Sequence, residues 1–308
     1  MSTPALTTIE RRESRGPLER IRTYASLVTL SHTVFAMPFA ASAVVLAQGV
    51  PHVPLTPRRV AAMLVCMVAA RSSAMAYNRY ADRDVDALNP RTSNRHLPRG
   101  AVSAREALFL ATFAGAVFVV AAGTLGTVPL ALSPLVLAVL LGYSHAKRFT
   151  WASHAWLGLA LALAPGGAWI AAGAAPSVPI VLFMAAVLAW LFGFDVLYSL
   201  QDEDFDRERA LHSVPARFGT RRALWLSAFA HVATVMLLGA TGAALGRGGF
   251  YLAAVVLTAL LLFYEHRLVG WGNLAKIDTA FFDVNAWLSV GFFLLTLLDE
   301  ATRRGAFR

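Results

Sequence analysis

The chain has 308 residues, 57% of them hydrophobic and only 15% charged. Soluble globular chains run nearer 45–50% apolar and about 25% charged, so this composition cannot cover a wholly aqueous surface, and it excludes a disordered chain. The single cysteine, Cys66, excludes an intrachain disulfide and any multi-cysteine metal site. A formal net charge of +9 on so apolar a chain points to arginine-rich loops beside a membrane, not to nucleic acid.

In chain order, residues 1–23 carry Arg11, Arg12, Arg15, Arg20 and Arg22 with no apolar core, and read as a basic cytoplasmic leader, not a cleavable signal. Nine apolar segments follow, at 24–49, 58–80, 104–123, 127–145, 152–172, 176–201, 221–243, 248–269 and 277–299. Each is close to the roughly 20 helical residues that cross a hydrocarbon core about 30 Å thick. No stretch alternates as a strand. The expectation is an all-α polytopic membrane protein with nine transmembrane helices, one domain over 24–300 made of two related half-bundles, and a C-terminal tail at 301–308. With the N-terminus inside, 20 basic residues fall in inside segments and 6 in outside ones, while Arg71 lies within a span. The bias predicts a cytoplasmic N-terminus and an outside C-terminus.

The long polar loops follow spans 2 and 6, both on the inside face, so function is expected there. Span 2 ends in Asn78, Asp82 and Asp86; span 6 ends in Tyr198, Asp202 and Asp206. Residues four apart share a helix face, so each set forms a ridge, and Asp84 and Asp204 point elsewhere. Either cluster alone would read as a solvated helix end. Their repetition at matching offsets, 120 residues apart, does not. Facing aspartates repel one another and imply a bound counter-charge; hard oxygen donors of this kind suit Mg²⁺, which uses a few carboxylates together with substrate phosphates. Cations follow on the same inside face, Arg91 and Arg95 after the first ridge and Lys147 and Arg148 after span 4, and are suited to diphosphate oxygens.

Two ionisable residues sit deeper: Arg71 in span 2, seven residues before Asn78, and Asp195 in span 6, seven residues before Asp202. Charges at membrane depth are costly and mark function. Arg71 could hold an anionic group of a second substrate; the competing reading is an Arg71–Asp195 ion pair joining the two halves.

The segments NRYADRDVDALNPRTSNRHLPRG (78–100), YSHAKRFT (143–150) and DVLYSLQDEDFDRERALHS (195–213) resemble the UbiA family of intramembrane aromatic prenyltransferases. The resemblance covers about residues 20–300 and implies a nine-helix bundle around a lipid-open chamber in the bacterial inner membrane, its active site opening to the cytoplasmic face. It implies an aromatic polyprenyltransferase in which Asn78, Asp82, Asp86, Asp202 and Asp206 hold the Mg²⁺–diphosphate of a polyprenyl donor. Arg91, Arg95, Lys147 and Arg148 would contact the diphosphate, Arg71 the carboxylate of the aromatic acid acceptor, and Asp195, Tyr143 and Tyr198 would lie near the reacting centre. The acceptor would be of the 4-hydroxybenzoate type. The stretch LHSVPARFG (211–219) resembles a subgroup associated with a dihydroxynaphthoate acceptor in menaquinone synthesis. A secondary transporter or ion channel is the alternative of another class, but the acids sit at helix ends and not at the midplane.

Overall fold

The computed structural model describes residues 16, 23–24, 26–27, 33–270 and 274–305. Most of the expected leader and the first part of the expected first span lie outside the described residues. The described helices are α1 (Thr33–Ala47), α2 (Pro57–Leu88), α3 (Ala104–Leu125), α4 (Thr127–Ala146), α5 (Ser153–Ala171), α6 (Val178–Ser199), α7 (Glu203–Glu208), α8 (Val214–Phe218), α9 (Thr220–Ala244), α10 (Gly249–Val269) and α11 (Asn285–Arg303). Among the described residues there is no strand. Eight helical segments are long and apolar enough to cross a membrane, and they coincide with the second to ninth expected spans. The protein is a multi-span membrane protein; α1 covers the later part of the first expected span.

Local chemistry sets several helix starts. Thr56 caps α2 by accepting the Arg59 N–H at 3.2 Å, with Pro57 in the first turn. Ser103 and Glu106 form a reciprocal capping box on α3, satisfying two otherwise orphaned donors. Helices α2 and α3, α5 and α6, α6 and α9, α10 and α11, α11 and α1, and α1 and α5 pack side by side. Phe39 of α1 packs against Phe183 and Trp190 of α6 and Phe292 of α11, the aromatic centre of the core.

Three local features position the site. Helix α2 runs on to Leu88, past the expected span end at 80, so Asp82 and Asp86 stand on a rigid helix. Helix α6 does not do the same: a 3₁₀ turn, Leu200–Asp202, separates it from α7. The ridge expected through Tyr198, Asp202 and Asp206 is therefore tightened by a short turn of different pitch. Finally, Thr279–Val284 forms a π-helical turn within the last expected span. The Asn285 side chain donates to Ala280 O at 3.1 Å and Phe281 O at 3.2 Å, satisfying carbonyls at this wide turn.

Candidate active site

Both aspartate motifs face one small polar cavity of about 210 Å³. Asn78, Asp82, Asp86, Asp202 and Asp206 line it together with Arg91, Arg95, Lys147 and Arg148. Asp86, Asp202 and Asp206 are buried, whereas Asp84 and Asp204 are exposed, as helix geometry predicts.

Each of the four motif acids has a cationic neighbour. Arg91 grips Asp202 with a fork, Nε to Oδ1 at 3.1 Å and Nη2 to Oδ2 at 2.5 Å. Arg95 Nη1 reaches Asp86 Oδ1 at 2.7 Å. Lys147 Nζ lies 3.6 Å from Asp206, and Arg148 Nη2 lies 3.8 Å from Asp82 while donating to the Ala81 carbonyl. Burial opposes the Arg91 charge, but the Asp202 carboxylate outweighs it and holds the guanidinium above its ordinary value. The Arg91 guanidinium also lies over the Tyr198 ring, 5.3 Å from its centroid, and that ring packs on Phe281 at 4.0 Å.

A second cavity, about 880 Å³ and lined almost entirely by apolar side chains, most of them from α1 to α6, lies beside the first. Arg71 lines it. Tyr143 and Asp195 line both cavities and mark their junction. Tyr198 lines neither and meets the site through Arg91. Arg71 and Asp195 do not pair: Arg71 Nε is buried with no hydrogen-bond partner among the described residues, and Asp195 is held by His154 at 2.6 Å.

Three residues of the site escaped sequence reasoning. Asn89 donates to Asp202 Oδ1 at 3.1 Å; its position at the C-cap of α2 was the available signal. Ser144 accepts from Asn78 Nδ2 at 3.4 Å. His154 carried no signal, because its partner lies 41 residues away on another helix.

The donor set fits a hard divalent ion. It is all oxygen, it comes from two facing motifs, and Asp86 Oδ2 and Asp206 Oδ2 are buried without a hydrogen bond among the described residues. No three of these side chains converge closely enough to hold a metal by themselves among the described residues. A ligand set completed by phosphate oxygens is consistent with that spacing.

The profile of the UbiA prenyltransferase family matches residues 35–295. The 4-hydroxybenzoate octaprenyltransferase of Vibrio cholerae is 31% identical over 267 residues, which cover 86% of this chain and 89% of that protein. The enzyme of the same name from Azoarcus sp. is 32% identical over 233 residues, 75% of this chain and 80% of that one. The apo structure of a UbiA homologue from Aeropyrum pernix K1 superimposes with a TM-score of 0.78 at 36% identity, covering 86% of this chain and 98% of that one. A UbiA homologue from Archaeoglobus fulgidus, solved bound to GPP and Mg²⁺, shares the fold at a TM-score of 0.68 and 18% identity, covering 90% and 99%. The chain belongs to the UbiA prenyltransferase family and is an aromatic prenyltransferase.

Proposed function

We propose that the protein transfers a polyprenyl group from a polyprenyl diphosphate to a 4-hydroxybenzoate-type aromatic acid, in quinone biosynthesis, with the polar cavity opening to the cytoplasmic side of the bacterial inner membrane. One observation carries the reading. A polar cavity lined by paired aspartates and cations meets a large apolar cavity at Asp195 and Tyr143. Such a junction suits a substrate with a charged head and a greasy tail.

The roles follow from placement. Asn78, Asp82, Asp86, Asp202 and Asp206 hold Mg²⁺, which when bound supplies charge that stabilises the departing diphosphate. Arg91, Arg95, Lys147 and Arg148 hold diphosphate oxygens, and their fixed positive charges act where negative charge develops. The apolar cavity houses the prenyl chain and excludes water, which would otherwise quench an allylic cation. Arg71, which lines the apolar cavity and not the polar one of the motif aspartates, takes the acceptor's carboxylate. Asp195 and Tyr143 stand where the ring and the allylic carbon meet.

The test is product analysis. Membranes containing the protein are incubated with geranyl diphosphate and either 4-hydroxybenzoate or 1,4-dihydroxy-6-naphthoate, with Mg²⁺ or with a chelator. The expected outcome is a Mg²⁺-dependent prenylated hydroxybenzoate found by mass spectrometry. Turnover of the naphthoate alone would reassign the acceptor and keep the chemistry. No prenylated product from either acceptor would overturn the reading.

A further inference from the structure

His154 lies at the start of α5, with its side chain only 1% exposed. Both of its ring nitrogens are engaged. Nδ1 lies 2.6 Å from Asp195 Oδ2, and Nε2 accepts the backbone N–H of Val214 at 3.3 Å. The second contact decides the tautomer: a nitrogen that accepts an N–H carries no proton, so the neutral ring holds its proton on Nδ1, aimed at Asp195. Oδ2 of Asp195 is thereby occupied. Oδ1 has no hydrogen bond among the described residues, and the carboxylate, 20% exposed, opens onto both cavities.

We propose that His154 is a positioning residue that locks the Asp195 carboxylate with Oδ1 turned to the acceptor ring, so that Asp195 removes the ring proton after the prenyl group has joined. This rests on the reading of the site as a prenyl-transfer centre. The allylic C–O bond breaks and its electron pair leaves on the diphosphate. A π pair of the ring forms the new C–C bond. The hydrogen on that ring carbon then passes as a proton to Asp195 Oδ1, and the C–H electron pair restores the aromatic ring. Asp195 ends neutral and returns its proton to solvent through the polar cavity that it also lines. His154 does not relay the proton, because Nδ1 already carries one and Nε2 is closed off by Val214. Its contribution is a fixed N–H that orients the carboxylate, in the manner of a buried partner that holds a catalytic group in one geometry.

Two amide substitutions separate this role from a structural one. An asparagine at 154 presents an N–H near the place of Nδ1; a glutamine presents a carbonyl near the place of Nε2. His154→Asn therefore keeps the bond to Asp195 and loses the one to Val214, and His154→Gln does the reverse. Membranes bearing the full-length native enzyme and each variant are assayed with geranyl diphosphate and 4-hydroxybenzoate, ring-protiated or ring-deuterated. Dihydroxynaphthoate serves if it is the acceptor turned over. His154→Gln is expected to lose about 10²-fold in kcat, within the range of general-base contributions, with donor KM unchanged and with an isotope effect on kcat larger than the native one. His154→Asn is expected to recover most of that loss and keep the native isotope effect. The proposal is overturned if the two variants have equal kcat and equal isotope effects, or if activity falls only in proportion to folded protein measured by thermal melting. Native enzyme that prenylates neither acceptor overturns the reading of the site together with this proposal; native turnover with the two variants alike overturns this proposal alone.

Discussion

Arg71 shows how a single residue can ask for a ligand. Its Nε is buried without a hydrogen bond among the described residues, and no carboxylate there pairs with it. A buried cation without a partner is expensive, so the acceptor's carboxylate is the natural counter-ion on the proposed reading. Arg71→Ala is expected to raise the acceptor KM about 10- to 100-fold, the scale of one charged hydrogen bond, while donor KM changes little. Acceptors without a carboxylate should react poorly with the native enzyme and lose less in the variant. Equal damage to both substrates, with a lowered melting temperature, would instead indicate a structural cation. Asp82→Ala and Asp202→Ala each remove one motif carboxylate and leave the facing motif in place. Each is expected to lower turnover about 10³-fold or more, equivalent to roughly 4 kcal/mol in the barrier, at matched expression. The acids were legible in the sequence because a four-residue spacing repeats at both sites. His154 was not, because a lone histidine in an apolar run has no periodic partner. Only the folded α5–α6 pair brings it to Asp195.

That helix pair depends on a glycine. Gly158 lies one turn beyond His154 on α5, and a Cβ built there would meet the Leu188 carbonyl of α6 at 2.7 Å. Backbone cannot yield as a flexible side chain can, so Gly158→Ala must push the helices apart. The expected outcome is a lower melting temperature and a fall in kcat that exceeds the loss of folded protein, since the 2.6 Å His154–Asp195 bond sits on the same crossing. A variant with native melting and native kcat would show that the crossing tolerates a methyl group. At this scale the sequence yielded the apolar segments and their approximate ends, because length and hydropathy decide those. It did not yield the break at Leu200–Asp202, since the residue spacing there matches that of the first motif, which is continuous α-helix. The fork of Arg91 and the amide of Asn89 hold Asp202 at this turn, and those contacts arise only between distant segments.

The whole molecule carries its charge unevenly, and the basic bias of its loops predicts which end faces the cytoplasm. With Cys66 first replaced, single cysteines introduced in the exposed parts of 89–103 and 207–213 should resist impermeant thiol reagents added to intact cells and react once the membrane is opened. Labelling in intact cells would reverse the proposed orientation. The mouth at that end is tied together by four ion pairs, Arg91–Asp202, Arg95–Asp86, Lys147–Asp206 and Arg148–Asp82. On the proposed roles, these are the same carboxylates that receive the metal and the same cations that receive the diphosphate. Either ligand arriving alone takes one member of each pair and strands the other; arriving together, they let each group trade its partner for a new one of the same sign. Donor and metal affinities should therefore be thermodynamically linked, each strengthening the other by the same factor. A diphosphate titration repeated across free Mg²⁺ concentrations measures that factor, and a factor of one would mean that the four pairs stay closed while both ligands bind.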